Sequence, residues 1–296
     1  MLVVVAAVLI VVAGVVAVTV VLATRPSSAH RPARQTAIPV PPKPKPARAH
    51  RAEHATQLLR LPAKLPQRSL TLPILMYHRI GRIGPNLAPI TQRLTVTPED
   101  FAAQMRWLHG NGFHAVSQAQ AFDALERGTP LPSRPIMITF DDGYRGVWAN
   151  ALPVLTRLHM PATAYVITDR ISNRDPSFLT WSELRALEAG GVTVGSHTVT
   201  HTDLTTLDDA QALAELTNSR RALERHLGRP VQWFAYPAGA EDARIVGLAR
   251  RAGYVLAVTT RPGSVQSAAD PLELRRYEIL DSTHVKGLAS LLRAVT

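Results

Sequence analysis

The sequence predicts an α/β fold of about seven parallel strands wound into an irregular (β/α) barrel, with an open doubly wound sheet as the alternative. Two observations carry this. From Leu72 onward the apolar period switches repeatedly between two and 3.6, and the strand-like segments are short, almost unbroken apolar runs of the kind a sheet covered on both faces requires. No internal sequence repeat is present, so a solenoid is not indicated.

Each element follows from its local pattern. Ile74 to Tyr77, after Pro73, reads as a buried strand. Thr97 is an N-cap and Pro98 a first helical residue, and Phe101, Met105 and Leu108 keep helical spacing toward Gly110. A strand at Phe113 to Val116, a helix over about Gln118 to Arg127 and a strand at Ile136 to Phe140 follow. Val147 to Leu158 is helical, with Pro153 forcing a kink or a restart. Next come a strand at Ala162 to Ile167, a helix after Trp181, a strand at Val192 to Val194 and the longest helix, Asp208 to Leu227. Val231 to Ala235, Ala243 to Ala252 and Tyr254 to Val258 complete the alternation as strand, helix and strand. Such a fold places its chemistry where the strands end.

The first quarter of the chain is different. Residues 1–23 are nearly all Val, Ala, Leu and Ile without a charge, long enough to span a bilayer, and predict a transmembrane anchor or an export signal. Residues 24–70 form a basic, Pro-rich linker; nine Lys or Arg stand against Glu53 alone between 24 and 65, so +8 of the formal +11 lies there. The high charge therefore describes a tail, and a nucleic-acid-binding face is excluded as its cause. The domain expected to carry function is 71–296, held outward on a membrane or secreted, although the positive-inside rule would keep so basic a flank in the cytoplasm. The sequence does not indicate an oligomeric state.

The chain has no Cys among its residues, which removes thiol nucleophiles and thiolate metal sites and leaves His and carboxylate as ligands. Thr139-Phe140-Asp141-Asp142-Gly143 puts two acids at the end of a strand, where a cation would relieve their repulsion; a plain turn is the competing reading. Gly195-Ser196-His197-Thr198-Val199-Thr200-His201 follows another strand, and its imidazoles, four apart, would share a face on a helical turn. Two His and one Asp suit Zn, with Co or Ni as alternatives, and leave positions open for water and substrate.

These two segments resemble the first two motifs of the polysaccharide deacetylases, the NodB-homology group in carbohydrate esterase family 4. Phe234-Ala235-Tyr236-Pro237-Ala238-Gly239 stands at the third motif, and Leu75-Met76-Tyr77-His78-Arg79-Ile80 resembles the opening strand of the poly-N-acetylglucosamine deacetylase branch. The resemblance implies Asp142, His197 and His201 as metal ligands, Asp141 as general base and a backbone NH of the Tyr236 to Gly239 loop as oxyanion donor. It departs from the commoner pattern where Ala235 replaces Arg and Ala238 replaces an aromatic residue, and the acid and Trp that would brace that Arg are absent from Gly253 to Thr260. Arg276 is a candidate replacement cation, with a solvated surface Arg as the competing reading.

For the general acid, His78 at the end of the first strand competes with His284 in a polar stretch, and the branch resemblance favours His78. Trp181 is either a sugar contact or a packing residue. The expected activity is metal-dependent removal of N-acetyl groups from an N-acetylglucosamine-containing polysaccharide. Two alternatives are a sugar-binding protein of the same fold with weakened catalysis, and an amidase acting on a non-sugar substrate.

Overall fold

The computed structural model of the protein describes residues 58–171 and 175–295. The expected anchor over 1–23 and most of the expected linker over 24–70 lie outside the described residues. Among the described residues, no helix is long and apolar enough to cross a membrane. Packing begins by Leu59, which is buried, donates its NH to Gln232 Oε1 at 2.7 Å and so belongs to the folded unit although it precedes residue 71.

The strands are β1 Ser69–Thr71, β2 Ile74–Tyr77, β3 Arg79–Ile80, β4 Thr95–Val96, β5 His114–Ala115, β6 Pro135–Phe140, β7 Ala162–Val166, β8 Val192–Ser196, β9 Trp233–Ala235, β10 Leu256–Val258, β11 Val265–Ser267 and β12 Tyr277–Glu278. The α-helices are α1 Pro89–Arg93, α2 Pro98–Gly110, α3 Gln118–Arg127, α4 Leu152–Arg157, α5 Trp181–Ala189, α6 Asp209–Leu227, α7 Ala243–Arg251 and α8 Val285–Val295. Seven strands run in the order β10-β9-β8-β7-β6-β2-β12, all parallel, with β5 beside the start of β6. The sheet curls. The segment 274–278 touches both edges, since Leu274 bridges Val258 of β10 while Tyr277 and Glu278 pair with Leu75 and Met76 of β2. Of the two folds the period switching allows, this is the irregular barrel that a count of about seven strands favours.

Alternate strand residues serve different clusters, as the period of two requires. Leu75, Tyr77, Ile138 and Phe140 pack with Phe101, Met105 and Leu108 of α2, whereas Ile74, Met137, Tyr165, Ala235 and Val258 form a second cluster. The Phe101 ring meets those of Tyr77 and Phe140 at 5.3 and 5.7 Å, so its truncation to Ala would cost about 3–5 kcal/mol. α2 starts where the sequence places it, with Thr97 Oγ1 accepting from the Asp100 NH at 3.1 Å. At Pro153 the chain restarts, a π turn over Val147–Ala151 running into α4.

One local expectation is corrected. His197 and His201 do not lie on a helical turn: residues 197–203 are an irregular loop in which Thr198 and His201 have φ of 65° and 69°. The cause is Glu215 of α6, whose Oε2 accepts the NH groups of Val199 and Thr200 at 2.9 and 3.0 Å and so takes the amides out of any helical pairing.

Candidate metal centre and active site

Strand ends deliver the site. The Asp141 NH donates to Tyr77 O and the His197 NH to Val166 O, both at 2.9 Å, which prolongs the parallel ladder by one step and fixes both side chains at the rim. His78 follows β2 on the same rim. These residues, with Asp142, His201, Ala238 and Glu278, line a cavity of about 490 Å³ whose apolar wall comes from Met76, Ile90 and Leu94.

Asp142, His197 and His201 offer one ligand atom each, all within 4.8 Å of one another. Asp142 Oδ1 stands 3.6 Å from His197 Nε2 and 3.7 Å from His201 Nε2, spacings that suit donors sharing one small cation at about 2.0–2.2 Å. His197 is buried, and its Nδ1 meets Ala235 O at 2.8 Å, which turns Nε2 toward Asp142. Burial lowers the His197 pKa against the pull of Asp141 and Asp142, favouring the neutral imidazole a cation needs. Four of the six non-glycine residues with positive φ among the described residues are Asp142, Thr198, His201 and Ala238. Backbone strain is thus concentrated in the loops that shape this cavity.

Asp141 has a different environment. Arg276, fully buried, donates Nη1 to Asp141 Oδ1 at 2.8 Å and Nη2 to Oδ2 at 2.7 Å, a two-point fork. The same guanidinium donates to Thr259 O at 2.8 Å and Thr139 Oγ1 at 3.2 Å, and lies 5.7 Å over the Tyr165 ring. Burial would raise the Asp141 pKa, but the charge and hydrogen bonds of Arg276, then His197 and His78, hold it at about 2. The solvated reading of Arg276 is therefore excluded. A cation from the segment just before β12 stands at the acid in a protein that has Ala235 where the commoner motif has Arg.

The Tyr236 to Gly239 loop narrows to one donor. Tyr236 donates its NH to Val258 O and Gly239 to Tyr236 O, and Pro237 has none. Ala238, lining the cavity at φ 53°, carries the one amide of this loop without a partner among the described residues. His78 Nδ1 is buried without a partner. His284, by contrast, is exposed and pairs with Asp100 at 3.0 Å at the start of α2. Trp181 stacks on His226 at 3.7 Å and packs against the core, away from the cavity lining, so it is a packing residue. Sequence reasoning missed Glu278 and the α1 wall: a two-residue strand and a five-residue helix with no buried residue leave no periodic signal.

Residues 128–257 match the family described as polysaccharide deacetylase. The chain is 30% identical to the solved polysaccharide deacetylase BC0361 of Bacillus cereus, covering 76% of this chain and 69% of that one with a TM-score of 0.66. The Streptococcus pyogenes deacetylase PplD, solved with acetate, aligns at 28% identity and a TM-score of 0.70 over 76% of this chain and 99% of its own. A poly-beta-1,6-N-acetyl-D-glucosamine N-deacetylase of Staphylococcus epidermidis is 25% identical over 222 residues, 68% of this chain and 76% of the relative.

Proposed function

The chain belongs to the polysaccharide deacetylase family, and we propose that it hydrolyses N-acetyl groups from an N-acetylglucosamine-containing polysaccharide with a divalent cation held by Asp142, His197 and His201. The observation that carries this reading is the meeting, in one cavity, of that donor set with an acid anchored by a buried Arg. When bound, the cation supplies Lewis acidity toward oxygen; the two-imidazole, one-carboxylate set suits Zn, with Co or Ni as alternatives.

The chain's own residues do the rest. Asp141, kept ionised by Arg276, accepts a proton from the attacking water as its oxygen bonds to the acetamide carbon. Ala238 lines the cavity, and its NH, without a partner among the described residues, is the donor for the negative charge that develops on the carbonyl oxygen. His78, on the same rim, returns a proton to the sugar nitrogen as the C–N bond breaks, releasing acetate and leaving a free amine on the polymer. The anchored Asp141 supports an enzyme over a sugar-binding protein of the same fold, because metal binding alone needs only the three ligands. Export, with the domain held on a membrane by residues 1–23 or secreted, belongs to the same proposal and rests on the sequence.

The test is acetate release by the metal-loaded protein from peptidoglycan, chitin oligomers and poly-N-acetylglucosamine. Release from at least one is expected. Hydrolysis of small non-sugar amides with no acetate from any of the three would establish the amidase alternative instead.

A further inference from the structure

One carboxylate of the cavity takes no part in the hydrolysis. Glu278 lines the cavity from β12, whose register sets it beside Met76 of β2. Met76 and His78 are two residues apart and line the same cavity, so Glu278 belongs to the side on which His78 meets the leaving nitrogen. The short helix α1 borders that side as well. Its last residue, Arg93, accepts the Asp281 NH at 2.9 Å, and Ile90 and Leu94 supply apolar wall, Ile90 being 54% exposed. A sugar ring entering here has an apolar surface to lie against and an acid beside it.

Glu278 is also the acid of the cavity with the weakest counter-charge. Asp141 has the fork of Arg276, and Asp142 is a ligand of the proposed cation. Among the described residues the Glu278 carboxylate accepts no hydrogen bond, and its one ion-pair contact is Arg93 at 4.0 Å, with the two side chains 35% and 57% exposed. An exposed pair at that distance contributes little. No Lys or Arg lines the cavity. Next to Thr260, another lining residue, Arg261 meets both Glu241 and Glu273, at 2.8 and 2.9 Å, so this lip too carries more acid than base. A hydroxyl or an acetamide is neutral and leaves that field unanswered, whereas an ammonium group complements it. The reaction itself makes such a group, because each acetamide hydrolysed leaves an amine on the polymer.

We propose that Glu278 is a specificity-determining residue that binds the ammonium group of a glucosamine unit adjoining the N-acetylglucosamine being cleaved, so that the enzyme favours polymer already carrying free amine. This rests on the deacetylase reading. A neutral neighbouring sugar gives Glu278 no charge to meet.

The experiment uses three trisaccharides with a single N-acetyl group, on the central ring, so that acetate release has one source. The flanking rings are glucose on both sides, or glucosamine on one side or on the other. Acetate release gives kcat/KM for the wild type, and calorimetry gives affinities for the metal-loaded Asp141→Asn protein, in which turnover does not consume the ligand. One amine-bearing trisaccharide is expected to exceed the glucose-flanked one about tenfold in both measurements. Glu278→Gln should bring that ratio close to one, and Glu278→Lys should bring it below one by repelling the amine. The preference should shrink as salt rises, and Glu99→Gln, on exposed surface of α2 away from the cavity lining, should leave it unchanged. Thermal unfolding confirms that each variant is folded before its ratio is read. Acetate release without preference, a preference that persists in both Glu278 variants, or a Gln variant slowed equally on all three trisaccharides overturns the role of Glu278. Preferential binding of an amine-bearing trisaccharide without acetate release by the wild type leaves that role standing and overturns the deacetylase reading, and neither binding nor release overturns both.

Discussion

Replacing Arg276 with Met strands a carboxylate inside the barrel. Arg276 is fully buried, Asp141 exposes 3% of its side chain, and the guanidinium makes two bonds to Asp141 and one each to Thr139 and Thr259. Met fills comparable volume, so the loss is electrostatic. Removing one partner of a buried pair costs about 3–5 kcal/mol, and at about 2–4 °C per kcal/mol for a domain of this size the melting temperature should fall by roughly 6–20 °C. Arg276→Met with Asp141→Leu should recover most of that fall, because no charge is then left unpaired. Arg276→Lys should lie between, keeping the charge and losing the fork. Thermal unfolding of the four proteins at neutral pH reads this directly. A single Met variant melting within about 2 °C of wild type, or a double variant no better than the single, would refute the account of Arg276 as the counter-charge of Asp141.

Further outcomes follow from the same geometry. Asp141→Asn should keep its metal, measured by elemental analysis, and lose about 10²–10⁴ in rate, since an amide cannot accept the proton; a wild-type rate would move the base elsewhere. The double variant His197→Ala, His201→Ala should lose both metal and acetate release, and full metal occupancy would overturn the ligand assignment. His78→Ala should retain metal and lose rate, whereas His284→Ala, changing an exposed pair at α2, should retain both; the reverse would assign the acid to the wrong histidine. Asp100 is pushed up by burial but lowered on balance by its bonds to Thr97 and His284. With its folded pKa below the unfolded value near about 3.9, it stabilises above that value and loses the effect as pH falls through the folded one. The melting-temperature gap between wild type and Asp100→Asn should therefore narrow as the pH falls below about 3.9 and close once it passes the folded pKa, and a constant gap would remove this carboxylate from the pH dependence.

The sequence alone was sufficient for β2 and for β6 to β10, and its motifs for the donors at their ends, because both are local. A buried parallel strand must be apolar along its length, so Ile74 to Tyr77 and Ile136 to Phe140 declare themselves, and residues that end such strands must meet at one rim. Asp142, His197 and His201, the ligands the family resemblance implies, come together within 4.8 Å. The tertiary structure decided what depends on distant partners. Residues 197–203 form a strained loop because Glu215, on the following helix, takes two of its amides. The barrel closes through Leu274 to Glu278, a segment whose only strand is two residues long and so too short to show a period. Whether Arg276 is solvated or buried turns on Asp141, 135 positions away, and a guanidinium enters a barrel only where a carboxylate already there offsets the loss of water.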